Sequence, residues 1–354
     1  MELLVLKIFI SLFFVFTWIP LIRLDHWWIR IFDYPRFQKL VVITVLLVFW
    51  IILGREEDGF WIWTGAILVS LAYLGYLVKP YSIFGKKMIE RVPYNPENGI
   101  HLIVGNVYQF NRKYEKLLHL VQKIKPDLVF FVETNQAWAD ALEPLKNSFP
   151  HRILVPMENT YGLILYSKFP ILRQEIHFLI DEEIPSLEID LKLRNGKTIT
   201  VYAIHPTPPV PGENLSSTDR DAEILIVGKK SKTNPLPSLV IGDLNDVAWS
   251  HTTSLFLKTS EMADPRRGRG FYSTFHAHLP FFRWPLDHVF LSKHFGLSRV
   301  HVLPGIGSDH FPIELMAMLT KEKTTDTETA TNEEEEEAAE KIANGHKNQK
   351  ADQN

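Results

Sequence analysis

The chain of 354 residues contains no cysteine. Disulfides, thiolate metal sites and cysteine nucleophiles are therefore excluded. An excess of charge of one sign is also lacking. Net charge is −3, and residues 86–320 carry 26 basic against 25 acidic side chains. That is not the strongly basic footprint of a protein that clamps long nucleic acids. The segments "YSK" and "SDH" lack the glycines of a nucleophile elbow. No Walker-type phosphate loop and no repeat at solenoid spacing occur either.

Apolar sequence is abundant near the N-terminus. Residues 3–22, 40–54 and 60–78 form three hydrophobic stretches, the first and third long enough for a bilayer core that needs about 20 residues. The first has no small-x-small cleavage site and two more apolar stretches follow it, which argues against a signal peptide. Residues 1–80 are therefore expected to be a transmembrane helical region in contact with the lipid bilayer, making the protein a multi-pass membrane protein. With three spans, loop 23–39 and the C-terminal domain share a side. Arg23, Arg30, Arg36, Lys39, Lys79, Lys86, Lys87 and Arg91 gather there, against Lys7 and Arg55 opposite, so the positive-inside rule places the domain in the cytoplasm. The second stretch is the shortest, and without it the orientation would reverse.

After a linker at 81–99 the pattern changes. "HLIVGNV", "PDLVFFVE", "GLILYS", "SLEIDLKL", "TITVYAIH", "PSLVIGDLN", "LDHVFLS" and "FPIELMAML" are short apolar runs bounded by turn residues, as strands are. Helices are expected at 112–124, 136–148 and 219–232. The fold class is α/β, with two packed sheets flanked by helices over 100–319. Residues 320–354 are charged and of low complexity, and a disordered, dispensable tail is expected there.

Polar residues sit where these runs end: Asn106, Glu133, His205, Asp243 with Asn245, Asp287, and Asp309 with His310. An ionisable group in such a place is costly to bury unless it is paired or binds a metal. A single one is ordinary strand capping, but the whole set is harder to explain that way. Carboxylate and amide oxygens without thiolates suit a hard cation, Mg²⁺ or Mn²⁺. Imidazoles beside them supply proton transfer or stabilise charge on a phosphoryl oxygen.

In their order along the chain, "GNV", "LVFFVET", "YGLILYSKFPI", "IHPTPP", "GDLND", "PLDHVFLS" and "GSDHFPI" resemble the endonuclease/exonuclease/phosphatase family, with its DNase I-like two-sheet sandwich. The hydrophobic stretches in front make the chain similar to bacterial membrane-anchored members, which implies the bacterial inner membrane. Carried over, the resemblance implies Glu133, Asn106 and Asp309 at the metal and Asp243 orienting or deprotonating the attacking water. It also implies Asn245 on a phosphate oxygen, His205 stabilising a phosphorane-like transition state, and His310 at the phosphate with Asp287 fixing its orientation. Gly105 departs from the pattern, since family members often carry a larger residue there. "GDLN" for "GDFN" is a milder change. Asp246, His251, Arg220 and residues 266–270 are candidates for substrate contact, against which Arg220 is read first as a helix start and 266–270 as a solvated loop. His276, His278 and His288 are read as loop or core residues.

Three functions follow from these residues. The first is a membrane-tethered, Mg²⁺-dependent hydrolase of a phosphodiester or phosphomonoester, with a lipid-linked phosphate or another small phosphoester as substrate. The second is a tethered nuclease, which salt-sensitive DNA binding would reveal. The third is an inactive scaffold, against which the complete polar set argues. No protein partner is expected.

Overall fold

The computed structural model describes residues 1–321 and 324–352. Three of its helices are long and apolar enough to cross a membrane: Glu2–Leu21, Arg36–Leu53 and Phe60–Tyr81. Their α-helical parts are α1 (Glu2–Trp18), α3 (Arg36–Leu53) and α4 (Phe60–Val78), and the short α2 (Trp27–Arg30) lies in the connector between the first two. The second stretch, expected over 40–54, starts four residues earlier. Arg36 and Lys39 are absorbed into its first turn because each finds a partner: Arg36 pairs with Asp33, and Lys39 donates to the Phe16 and Phe32 carbonyls at 2.8 Å.

The rest is a sandwich of two sheets. One has the order β10-β11-β1-β2-β4-β3 and the other β5-β6-β7-β8-β9. The strands are β1 (Gly99–Asn106), β2 (Leu128–Val132), β3 (His151–Val155), β4 (Leu163–Ser167), β5 (Ile171–His177), β6 (Ser186–Lys192), β7 (Thr198–Ala203), β8 (Ser238–Asp243), β9 (Asp287–Leu291), β10 (Phe295–Val302) and β11 (Ile313–Leu319). Helices α5 (Tyr114–Ile124) and α6 (Gln136–Ala141) cover the first sheet, while α7 (Thr218–Thr233), α8 (His251–Ser260) and α9 (Asn332–Asp352) lie on the side of the second. With both faces covered, the central strands read as unbroken apolar runs. In β2, Leu128, Phe130 and Val132 enter the core between the sheets, while Val129 and Phe131 meet the helices.

Residues 81–99 and the C-terminal segment are more ordered than expected. Met88 and Ile89 belong to the inter-sheet core, and the backbone at 88–91 pairs with Thr324, Thr325 and Leu297. Over Asn332–Asp352 the expected disorder gives way to α9, which packs along α7, while residues 322–323 and 353–354 of the expected tail lie outside the described residues. Ala338, Ile342 and Gly345 form a narrow apolar stripe at helical spacing. A Cβ at Gly345 would come within 2.4 Å of the Ala222 Cβ, so only glycine permits this close approach. Lys341 reaches across to Asp221 and Asp25, at 3.0 Å each. A high average charge masked the stripe.

Candidate active site

The period of a strand decides where the polar residues go. Leu102 and Val104 of β1, Val201 and Ala203 of β7, Leu239 and Ile241 of β8, and Val289 and Leu291 of β9 all point into the inter-sheet core. Side chains two apart share a face. Asn106, His205 and Asp243 each lie two residues beyond the last inward residue, and Asp287 lies two before Val289. The first three strands end, and antiparallel β9 begins, at one edge of the sandwich, with Asp243 opposite Asp287. The β10–β11 loop brings Asp309 and His310 to the same edge, because β11 runs antiparallel to β1. Glu133 and Asn245 have φ of 58° and 51°. Such left-handed backbone at non-glycine residues is uncommon and clusters at functional sites.

All of these polar residues but Asp287 line one cleft of about 820 Å³. The amide nitrogen of Asn106 donates to Glu133 Oε1 at 2.6 Å and to Asp243 Oδ2 at 3.1 Å, while its Oδ1 accepts from the Tyr108 N–H at 2.9 Å. In this arrangement Asn106 bridges two carboxylates. Glu133 Oε2 accepts from the Gln109 N–H at 3.2 Å. His310 Nδ1 is 2.8 Å from Asp287 Oδ2, and its Nε2 is 3.5 Å from Asp243 Oδ2. His205 Nε2 stands 4.0 Å from the same Asp243 oxygen, and its buried Nδ1 has no partner. The Asn245 N–H donates to Asp243 Oδ1 at 3.0 Å, and its side-chain amide donates to the Pro206 carbonyl at 2.9 Å.

Charge is distributed unequally over the set. Burial pulls the His310 ring down, but the Asp287 and Asp243 carboxylates outweigh it and push the ring up to about 10. His205 is lowered to about 4 by burial. Burial alone would raise Asp243; the two imidazoles and the Asn106 amide hold it below the usual carboxylate range instead. At neutral pH the site thus carries a charged His310, an ionised Asp243 and a neutral His205. Burial pushes Glu133 up to about 7, which marks a carboxylate short of positive charge.

That shortage bears on a cation. Glu133 and Asp309 both line the cleft, and the Asp309 charge is felt at Glu133. Two carboxylates open to one space fit a hard divalent ion. The donor atoms of Asp243, Asp287 and His310 also lie within 4.8 Å of one another. However, Asp287 is fully buried and already engages His310 Nδ1. This second group is better suited to holding a proton than an ion.

Every residue singled out from the sequence except Asp287 lines the cleft, and Asp287 stands directly behind His310. Two residues that support the site were missed. Arg220, read as a helix-start residue, is buried, and its guanidinium donates to the Asn245 carbonyl at 2.7 Å. Tyr34, in the connector between the first two apolar helices, donates its hydroxyl to the same carbonyl at 2.9 Å. An arginine at a helix start and a tyrosine between two apolar helices carry no distinguishing pattern. Residues 266–270 are not a solvated loop: Arg266 is buried on Asp264 and His288, and Arg267 pairs with Glu328 over the Tyr81 ring. Asp246 holds the start of α8, and His251 bonds Glu337 of α9. At Gly105 a Cβ would come 3.2 Å from Pro312, so the departure matches a tight slot.

Residues 105–310 match the Endonuclease/Exonuclease/phosphatase family, more than half of the chain. The protein belongs to that family, whose members are phosphodiester and phosphomonoester hydrolases that depend on divalent metals. Its fold is similar to that of D. rerio TDP2 complexed with a single-strand DNA product, with a TM-score of 0.53 at 17% identity over 62% of this chain and 98% of that one. A family protein from Bacteroides thetaiotaomicron gives 0.52 at 16% identity, covering 66% and 99%. Another from Beutenbergia cavernae gives 0.51 at 16% identity, covering 63% and 72%. No curated protein sequence matches the chain significantly.

Proposed function

We propose that this protein is a membrane-anchored, divalent-metal-dependent hydrolase that attacks a lipid-linked phosphoester with an activated water. One observation carries the reading. The floor of the cleft is the carboxylate–imidazole set, and one wall is the membrane connector, with Trp27, Ile31, Phe32, Tyr34 and Pro35 lining it. Phe32 in turn packs on Phe16 of α1, ring centroids 4.7 Å apart. Apolar surface therefore runs from a candidate membrane span to the catalytic floor, as a phosphate carried on a hydrocarbon group requires.

Glu133 and Asp309 would hold the cation, Mg²⁺ or Mn²⁺, which when bound supplies positive charge against the phosphoryl oxygens. Asp243, ionised and beside the cleft, orients the attacking water and takes its proton. The charged His310 directs Nε2–H at a phosphoryl oxygen, where negative charge grows in the transition state. His205 remains a neutral donor or acceptor, and the Asn245 amide can turn from the Pro206 carbonyl to the substrate. The basic residues at the domain side of the spans favour the cytoplasmic face.

The test is turnover by the purified full chain in detergent. The panel is a lipid-linked phosphodiester, a lipid-linked phosphomonoester, a water-soluble aryl phosphodiester and single-stranded DNA. The lipid-linked esters should be hydrolysed with Mg²⁺ or Mn²⁺, lost with EDTA and restored by excess metal, and D243N should abolish the reaction. Turnover of DNA alone would move the assignment to a tethered nuclease. Inertness towards the whole panel would refute the reading.

A further inference from the structure

The segment from Phe275 to Trp284 is a hairpin, closed by Phe275 N–H to Trp284 O and Trp284 N–H to Phe275 O. On one side it is stitched to the catalytic loop, where the Ala277 N–H donates to the Asp309 carbonyl at 2.6 Å. On the other side Gln38, in the first turn of α3, donates to the Phe281 and Arg283 carbonyls at 3.1 and 3.2 Å. The tip is thereby fixed at the depth where a candidate membrane span begins. Its side chains are unlike those of a solvated loop: Phe281 is 83% exposed, and Phe282 and Leu279 are exposed beside it. Ile83 and Phe84, at the end of the third apolar helix on the same side, are also exposed, at 72% and 80%. Isolated exposed apolar residues are ordinary, but grouped ones mark an interaction surface. Exposed Arg23, Lys79 and Lys87 stand at the same helix ends, as suits anionic headgroups.

We propose that the 275–284 hairpin is a second, non-spanning membrane contact, whose tip inserts into the interfacial layer of the bilayer crossed by the three helices. Gln38 ties the tip to the first turn of α3, along which Phe37, Val41, Val45 and Val48 are exposed apolar residues, so the occupant of this surface is lipid. Phe282 and Ile31 are both exposed and both line the cleft. Its mouth therefore opens at headgroup level, and a phosphate can reach the floor without its hydrocarbon leaving the interface.

This inference extends the anchored reading, but its test needs no catalysis. Because the chain has no cysteine, one substitution gives a unique labelling site. Full-length F281C would carry a nitroxide in vesicles of phosphatidylcholine and phosphatidylglycerol, and its access to oxygen and to a water-soluble nickel chelate would be compared. V48C on the lipid side of α3 is the bilayer reference. K197C, in the turn before β7 at the far end of the sandwich, is the aqueous one. L279C provides a second tip position. The tip labels should resemble V48C, with oxygen favoured and the chelate excluded. Tip labels that read like K197C would overturn the proposal, and an aqueous V48C would overturn anchoring itself. Protected tip labels on a protein inert to every phosphoester would sink the catalytic reading and leave this one standing.

Discussion

His310 meets two carboxylates with its two nitrogens, and only one of them can be a catalytic partner in the cleft. Asp287 sits behind Nδ1, fully buried, with its own N–H group bonded to the Thr274 hydroxyl at 3.1 Å. Asp243 faces Nε2 from the cleft. The rear carboxylate fixes the tautomer and favours the charged ring. H310A should remove most turnover, and because it leaves the buried Asp287 carboxylate without its partner it should also lower melting. D287N should cost about tenfold or more, up to the roughly 10²–10⁴-fold that acid–base groups contribute. The charged ring is lost as pH rises through about 10 in the native protein, and without Asp287 that alkaline limb should move to lower pH. The double variant should be little worse than H310A, since residues acting as a unit are not additive. Additive losses, or an unshifted limb in D287N, would show that Asp287 acts elsewhere. Asp243 and Asp287 were legible because each breaks an apolar strand in step with its inward face, and His310 because it completes the polar set in the loop before β11. Tyr34 and Arg220 were not, because they act on the Asn245 backbone, and a carbonyl leaves no mark in a sequence.

At the scale of elements, the two sheets were readable from period and turn residues, and the edge strands were less so. β3, β5 and β10 lack the unbroken apolar runs of the central strands, since part of each faces solvent. Helix α9 was misread for a related reason: its buried face is only a few small residues wide. Removing everything after Thr331 strips that face from α7 and leaves the buried Asp221 without Lys341. Asp221 keeps its pair with Arg220, so the loss is smaller than the about 3–5 kcal/mol of an uncompensated buried charge, and melting should fall by a few degrees. An unchanged melting temperature would restore the view of a dispensable tail. Helix α7 carries a further load in Glu223, whose burial, with Asp181 and Asp219 nearby, raises it from 4.5 to about 8 and whose Oε1 has no partner. A raised carboxyl stabilises the fold fully below its unfolded value, and that stabilisation is lost as pH rises through 8. E223Q should therefore gain on the native protein steadily between pH 5 and pH 8 in paired thermal melts. Parallel curves across that range would show that Glu223 is solvated.

At the scale of the whole molecule, the N-terminal region is built into the site. The Trp27 N–H donates to the Leu215 carbonyl at 2.9 Å and the Ser217 N–H to the Asp25 carbonyl at 2.7 Å, which fastens the connector to the loop before α7. Arg36 donates to the Trp249 carbonyl at 2.5 Å, and the Trp249 indole donates to the Asp33 carbonyl at 2.9 Å. Tyr34 and Arg220 converge on the carbonyl of Asn245, a residue held with positive φ. A tether that only raised local concentration would have no reason to make these contacts. Residues 86–354 expressed alone should melt lower than the full chain. They should also turn over a water-soluble phosphodiester at least about tenfold more slowly, because small displacements of a catalytic group cost large factors in rate. Y34F in the full chain isolates one of these bonds. It should lower kcat more than KM, since Asn245 would remain present but less firmly placed, and its loss should be smaller than that of the truncation. If the isolated domain matched the full chain in both melting and kcat, the spans would be a detachable anchor. The connector contacts would then be packing without consequence for the reaction.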